Sequence, residues 1–401
     1  MAIARVAHVA VSDLGLRVHL RKQMVHLKAL GYDVHAVTPP GRWISAEGPT
    51  EDGIPVKLAR YTTSAATPIR DARGLVELVR YFRAQRFDIV HTHGLKPGLL
   101  GRLAARIARV PVVVHTVYGL GVDVGMSALE RRLWTQVERL GMRLGDYALS
   151  QGREDLEAAI ALGICPADRI GYLGSGVDLT VFNPGAVDRD AVDALRLGVR
   201  PGEHVVCMAR RFLPEPGSLE FFEAARLVRQ QRGDVQFWAV RAEPARQAGT
   251  LAAEHPLVAE ASRFVRFLGP RRNMADVLAA ADVFVFPSHG RKSLPRVLME
   301  AAAMGRPIVA TDGRGCREVV QHGATGLLVP AGDPEALAGA MLRLIDDREE
   351  AARLGARAAA FARAHFDENE YCRTIAACYE RLLGAARAGG LAWSVQGSGS
   401  V

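Results

Sequence analysis

FPSHGRKSLPRVLMEAAAMGRPIVATDGRG, residues 286–315, carries in one line the plan that the rest of the chain repeats. An apolar run, DVFVFP, ends at Phe286 and Pro287, and a polar loop follows. A helix is expected from near Leu294, with Ser293 placed to cap it, Pro295 suited to its first turn and Gly305 able to end it. PIVAT then reads as the next strand, and Gly313 and Gly315 let the backbone approach a ligand ahead of another helix. Strand, helix and strand joined by short turns imply parallel pairing with right-handed crossovers. A helix that opens after a strand presents free N–H groups and a positive dipole end, which suits phosphate. Glu300 lies about two turns into that helix, where its carboxylate could accept bonds from ribose hydroxyls. Taken singly, each feature equally describes a plain α/β connection.

The same alternation runs outward in both directions. Upstream candidate strands are IARVAHVAVS, DVHAVTP, DIVHTH, PVVVHTV, DYALS and RIGYL. Between the first two lies RVHLRKQMVHLKAL, with Val18, Met24, Val25, Leu27 and Leu30 near helical spacing and Gly31 as the stop. The pattern lapses over 181–202, a linker with a short helix, and restarts with strand HVVCMA, helix SLEFFEAARLVRQQ and strand VQFWAV. Strand RFVRFLG, helix ADVLAAA, strand DVFVFP and strand TGLLV complete the second series, and successive helices run from Pro334 to about Arg387. The expected organisation is a doubly wound domain over 1–182, a second over 183–366, a helix over 367–388 and a flexible tail over 389–401. Two such halves place ligand sites at the carboxyl ends of their strands, with chemistry in a cleft between them.

Composition narrows the class. With 401 residues, 49% hydrophobic and 23% charged, the chain can bury a core in each of two domains. The opening MAIARVAHVAVSDLG lacks the features of a signal peptide, and no apolar run approaches the roughly 20 residues that span a bilayer. Five scattered cysteines show neither metal spacing nor a disulfide framework, which suits a reduced, cytoplasmic protein. The net charge of +8 is mostly arginine, and residues 1–183 carry 23 Lys and Arg against 17 Asp and Glu, a net of +6. A basic first half favours anionic substrates or peripheral contact with the inner membrane face, although a solvated arginine-rich surface explains it as simply. Nothing interleaves basic with aromatic residues as a nucleic-acid platform would.

Some single residues invite a role. His91 and His93 close a strand and, with His115, could face the cleft, or serve as hydrogen-bonded structural histidines. GLGVDVG (Gly119, Gly121, Gly125) lacks dinucleotide spacing and reads as an acceptor loop, and after the first strand only Gly15 appears, a cleft-loop glycine. Asp188 and Asp190 form an Asp-x-Asp pair, but in the linker, so no metal is expected there.

Five segments in order, DIVHTHGLKPGLLGRLAARIARVPVVVHTVYGLG, YLGSGVDLTVFNP, RRFLPEPG, residues 286–320 and GATGLLVPAGDPEALA, resemble the retaining GT-B glycosyltransferases of family 4, bacterial cell-surface polysaccharide enzymes above all. The resemblance covers about residues 1–385. It implies two Rossmann-like domains, a nucleoside diphosphate sugar in the C-terminal one, an acceptor held by the N-terminal one, and a terminal helix crossing back to the first domain. It implies that Arg211 binds the diphosphate, that Glu300 binds ribose, and that the amides around Ser293, Leu294 and Pro295 and around Gly313 and Gly315 receive phosphate. The leaving diphosphate would be stabilised by protein groups, without a metal or other cofactor.

The likeness lapses at three polar positions. Where the family carries Lys five residues after the arginine, this chain has Pro216, which offers neither charge nor N–H. Where it carries the first of two glutamates, this chain has Lys292, which would bring a cation to the phosphates instead. In the segment matching HTVYG, Tyr118 stands in place of histidine. His93, His115, Tyr118 and Lys292 are the candidates near the reacting centre, none of them decisive. The expected function is transfer of a hexosyl unit from a nucleoside diphosphate sugar to a lipid-linked or saccharide acceptor in surface polysaccharide synthesis. The alternative is an impaired GT-B protein that binds, regulates or scaffolds. A sugar-nucleotide epimerase shares the architecture but not this order of motifs.

Overall fold

A computed structural model describes residues 2–61, 67–122, 126–210, 217–241, 256–271, 273–289 and 294–389. The chain forms two compact units, Met1–Leu173 with Tyr371–Val401, and Gly174–Glu370. The sequence places the corresponding seams at 182/183 and 366/367. Phe366 accepts from the Val177 amide at 2.9 Å, and Val177 from that of Glu368 at 3.2 Å. Gly176 makes this approach possible, since a Cβ there would stand 2.4 Å from Glu368 Cα.

In the first unit, β1 (Arg5–Val9), β2 (Asp33–Thr38), β3 (Gly48–Pro49), β4 (Pro55–Leu58), β5 (Ile89–His93), β6 (Val112–Val117), β7 (Tyr147–Ser150) and β8 (Ile170–Tyr172) form one sheet. Its order is β3-β4-β2-β1-β5-β6-β7-β8, parallel except for the β3–β4 pair. The central strands are apolar throughout because both faces are covered. Ala7, Val9, Val37 and Val90 pack with Leu78 and Phe82 of the helix Pro68–Gln85. On the other face, Val6, Val34 and Ile89 pack with Tyr371, Ile375, Tyr379 and Leu382 of the helix Glu368–Arg387. The terminal helix therefore does return to the N-terminal domain, as the family resemblance implies. The stretch from Asp13 is a short turn, a π-helical segment Leu16–Leu20 and the helix Arg21–Ala29, after which Gly31 adopts φ 96°. The edge pair β3–β4 is not legible in the sequence, because a two-residue strand and PVKL carry proline and lysine rather than an apolar run.

In the second unit, β9 (His204–Arg210), β10 (Val235–Arg241), β11 (Val265–Gly269), β12 (Val283–Phe286), β13 (Ile308–Thr311) and β14 (Leu327–Val329) make a parallel sheet ordered β11-β10-β9-β12-β13-β14. Alternate residues feed two cores, Val205, Cys207 and Phe284 on one face and Val206, Met208 and Val285 on the other. Asp188 caps the helix Arg189–Leu195, its side chain accepting from Asp190 N at 3.0 Å and Ala191 N at 3.2 Å. That use accounts for the linker Asp-x-Asp pair.

Candidate functional site

In the second unit the carboxyl ends of β9, β12 and β13 converge through side chain and backbone. Thr311, last residue of β13, donates from Oγ1 to Ser288 O at 2.6 Å and accepts from Ser288 N at 2.8 Å. Gly217, which precedes the helix Ser218–Gln231, has φ 98°, and a Cβ there would stand 2.2 Å from Pro287 O. Only glycine fits, so the turn after β9 rests directly on the loop after β12. Glu220 locks it, accepting from Gly217 N at 2.7 Å and pairing with His289. Burial alone would raise the Glu220 carboxyl, but hydrogen bonds to backbone and to His289 outweigh it and hold the group lowered.

Glu300 lies on the helix Arg296–Ala303 and is 8% exposed. Arg296 Nε donates to its Oε1 at 3.1 Å, and Arg296 Nη1 lies 3.7 Å from Glu368 Oε1. Burial pushes the Glu300 carboxyl up, against the attraction of Arg296 and with some repulsion from Glu368. The helix opens two residues later than its sequence suggests. Pro295 is its N-cap rather than part of its first turn, and it accepts through its carbonyl from Leu298 and Met299. Without an N–H, Pro295 cannot offer phosphate the amide expected of it, whereas Leu294, the described residue before it, has one. Gly313 and Gly315 precede the single-turn helix Cys316–Val319; Gly315 has φ 74°, and Gly313 O accepts from the amides of Cys316 and Arg317. Arg211, Pro216, Lys292 and Ser293 lie outside the described residues.

Arg210 was not singled out in the sequence, yet it ends β9 as a buried cation 5.2 Å from the Phe286 ring centroid. Its charge is felt at the Cys316 thiol, which burial nevertheless pushes up to about 12. A strand-terminal arginine in an otherwise apolar run, HVVCMAR, was the available signal.

In the first unit the histidines divide between the two faces of the sheet. His8 and His91 are partners in register across β1 and β5, and His93 follows His91 on the same face. His91 Nδ1 is 2.6 Å from Tyr379 Oη and its Nε2 is 2.7 Å from Thr116 Oγ1. His8 Nδ1 lies 3.1 Å from His93 Nε2, whose Nδ1 lies 3.0 Å from Tyr118 Oη, so a hydrogen-bonded chain runs from the core to Tyr118. Nitrogens of His8, His91 and His93 fall within 4.8 Å of one another, a spacing a metal could span. The His8 and His93 rings stack with centroids 5.5 Å apart, the His91 ring lies tilted 4.3 Å from that of His93, and both His91 nitrogens already face hydroxyls. Burial draws all three imidazoles down, and it raises the Tyr118 phenol.

His115 belongs to the opposite face, beneath the helix Leu95–Ala108. Its Nδ1 sits 3.0 Å from Thr92 Oγ1, and a Cβ on Gly98 would reach within 2.7 Å of its ring. It is therefore separated from His93 and Tyr118, and packing explains it. Gly15 likewise serves its own turn. Its φ is −59° and its amide donates to Ser12 Oγ at 3.0 Å, so that N–H is spent on a helix cap. Gly119 has φ 113° and Gly121 N donates to buried Glu138 at 2.9 Å, while Gly125 lies outside the described residues.

Residues 15–176 match the glycosyl transferase 4-like domain, and residues 203–347 match the glycosyl transferases group 1 domain. The chain belongs to the family 4 retaining GT-B glycosyltransferases. Among similar family members is the Escherichia coli UDP-Gal:α-D-GlcNAc-diphosphoundecaprenol α-1,3-galactosyltransferase, 28% identical over 70% of this chain and 72% of that protein. Another is the Campylobacter jejuni N,N'-diacetylbacillosaminyl-diphospho-undecaprenol α-1,3-N-acetylgalactosaminyltransferase, 24% identical over 82% of this chain and 87% of its own. The GT-B fold is shared with a Rickettsia africae glycosyltransferase, at TM-score 0.79 and 16% identity over 95% of this chain and 99% of that one. It is shared also with Anabaena HepE in complex with UDP-glucose, at TM-score 0.74 and 20% identity over 94% of this chain and 100% of that one. As a family 4 glycosyltransferase, the chain uses a nucleotide sugar as donor. Among its described residues no helix is long and apolar enough to cross a membrane.

Proposed function

We propose that this transferase moves a hexosyl unit from a UDP-sugar to a saccharide carried on a polyprenyl diphosphate. The observation that carries the donor half is Glu300, a buried carboxylate one helix beyond the carboxyl end of β12, with one oxygen held by Arg296. A carboxylate fixed in this way accepts ribose hydroxyls at little entropic cost. The amides of Leu294, Gly313 and Gly315 and the cations Arg210 and Arg211 then meet the diphosphate, whose charge grows as its bond to the sugar breaks. Two of the relatives described above are named for diphosphoundecaprenol-linked acceptors, which supports the acceptor half. Tyr118 and His93 stand on the acceptor side.

A second reading, an impaired transferase retained as a binding or scaffold protein, is favoured by Tyr118. Its hydroxyl is engaged by His93 at 3.0 Å, and a phenol stands where the resembled enzymes carry an imidazole. Pro216 and Lys292 add to this reading from the sequence. Losing one donor to transition-state charge typically costs about 2.7–4 kcal/mol. One assay separates the two. The protein is incubated with labelled UDP-galactose, UDP-glucose or UDP-N-acetylglucosamine and a short-chain polyprenyl diphosphate-linked N-acetylglucosamine. Labelled lipid-linked disaccharide from the unmodified protein supports transfer. Product only from the variant Tyr118→His, Pro216→Lys, Lys292→Glu supports the impaired reading and refutes the first.

A further inference from the structure

His8, on β1, has one nitrogen that meets nothing. The residue is fully buried, and among the described residues its Nε2 has no hydrogen-bond partner. Neighbouring His91 does not supply one, since its own nitrogens face Tyr379 and Thr116. The other nitrogen of His8, Nδ1, lies 3.1 Å from His93 Nε2, and His93 Nδ1 lies 3.0 Å from Tyr118 Oη. Burial draws both imidazoles down, His8 to about 3, so each ring is neutral and carries a single N–H. The leftover atom decides where those hydrogens sit. A buried N–H without an acceptor is among the rarest features of a folded core, whereas an idle lone pair is tolerated more readily. His8 therefore carries its hydrogen on Nδ1 and donates to His93 Nε2. That contact obliges His93 to carry its own hydrogen on Nδ1 and donate to Tyr118 Oη. The phenol hydrogen cannot share the same line, so it turns away from the core. Tyr118 directly follows β6, at the carboxyl edge of the sheet, and is half-buried. Its ring stacks on that of His93, with centroids 5.8 Å apart and planes 24° apart, which keeps the hydroxyl in place.

We propose that Tyr118 is a hydrogen-bond donor to the acceptor saccharide, held in that role by His93 and His8 as positioning residues. A neutral O–H suits the uncharged hydroxyl and ring oxygens of a sugar, while a phosphate is better met by cations. With one lone pair of Oη already taken by His93, the phenol offers its hydrogen first, so it selects a sugar oxygen free to accept. The saccharide contact rests on the acceptor reading proposed above. The outward direction of the hydroxyl rests on the buried chain alone.

Histidine tautomers test the direction without any ligand. Long-range proton–nitrogen spectra of the full chain with nitrogen-labelled histidine, assigned with His8→Gln and His93→Gln, should place the N–H of both rings on Nδ1. An N–H on Nε2 of either ring would overturn the proposal. The contact is tested by calorimetric titration of a short-chain polyprenyl diphosphate-linked N-acetylglucosamine into the protein saturated with UDP. Tyr118→Phe keeps the ring against His93 and removes the O–H, so acceptor affinity should fall about three- to tenfold with UDP affinity unchanged. His93→Leu, which releases the hydroxyl, should weaken acceptor binding in the same direction. His93→Asn, whose amide N–H takes the place of the Nδ1 hydrogen, should restore it. Equal acceptor affinity in wild type and Tyr118→Phe would overturn the contact, and His93→Asn no better than His93→Leu would overturn the positioning role. A wild type that shows both Nδ1 tautomers but binds no such acceptor would refute the acceptor reading, and the saccharide contact with it.

Discussion

Imidazoles enclosed by a core cannot take up a proton without losing solvation, and His8, His91, His93 and His115 are so enclosed in the first unit. Burial pulls His8 down to about 3, and it holds His91, His93 and His115 well below their ordinary 6.5. In the unfolded chain these groups regain their usual affinity. Their contribution to stability is thus fully present above 6.5 and is lost as pH falls, down to about 3 for His8. Each such group tilts stability by about 1.4 kcal/mol per pH unit within its window. Urea midpoints taken near neutrality and near pH 5 should fall steeply for the wild type, and His8→Gln should flatten that slope by about one proton. An identical slope in His8→Gln would show that His8 titrates normally in the folded state. His91 and His93 could be seen in the sequence as strand-ending histidines. The partner of His91, Tyr379, 288 residues away, could not, because only the tertiary return of the last helix brings it there. For the same reason His115 could not be separated from them by type alone. Its place on the other face follows from strand register.

At the scale of elements, legibility follows burial. Central strands such as IVHTH and HVVCMAR announce themselves because both faces are covered and nearly every residue is buried. The edge strand β3, with two residues and one neighbour, and β4 beside it, PVKL, show no such run. Helix ends depended on chemistry closer than pattern. The helix Arg296–Ala303 starts after Pro295 because the carbonyl of that residue, rather than a side chain, takes the first amides. The turn at Gly217 shows the reverse case, a glycine whose necessity is steric and invisible until Pro287 is seen against it. Gly217→Ala should therefore cost about 1–3 kcal/mol of stability, from a strained φ and a displaced loop. It should also weaken UDP binding, since Arg211, proposed to meet the diphosphate, closely precedes Gly217 in the sequence. Calorimetric melting and a UDP titration check both. An alanine variant as stable as the wild type would mean that the turn after β9 does not rest on Pro287.

For the molecule as a whole, two separate sheets of parallel strands and a last helix shared with the first unit were legible from alternation and from five ordered segments. What the sequence could not display was the solvent face of a helix. ALERRLWTQVERLGMR looks in sequence like any amphipathic element, and only its packing through Thr135 and Glu138 shows that the leucines point outward. Donor and acceptor roles are likewise assigned to different units, so they can be tested one at a time. Tyr118 and His93 should leave nucleotide affinity untouched, whereas Glu300 should control it. The most direct measurement is isothermal titration of UDP into the wild type and into Glu300→Gln, which keeps the side-chain volume beside Arg296. The account predicts one UDP bound per chain, with affinity lowered about ten- to hundredfold in the variant, as expected for losing one hydrogen bond to a charged group. Equal affinity in both proteins, or no saturable binding by the wild type, would contradict it.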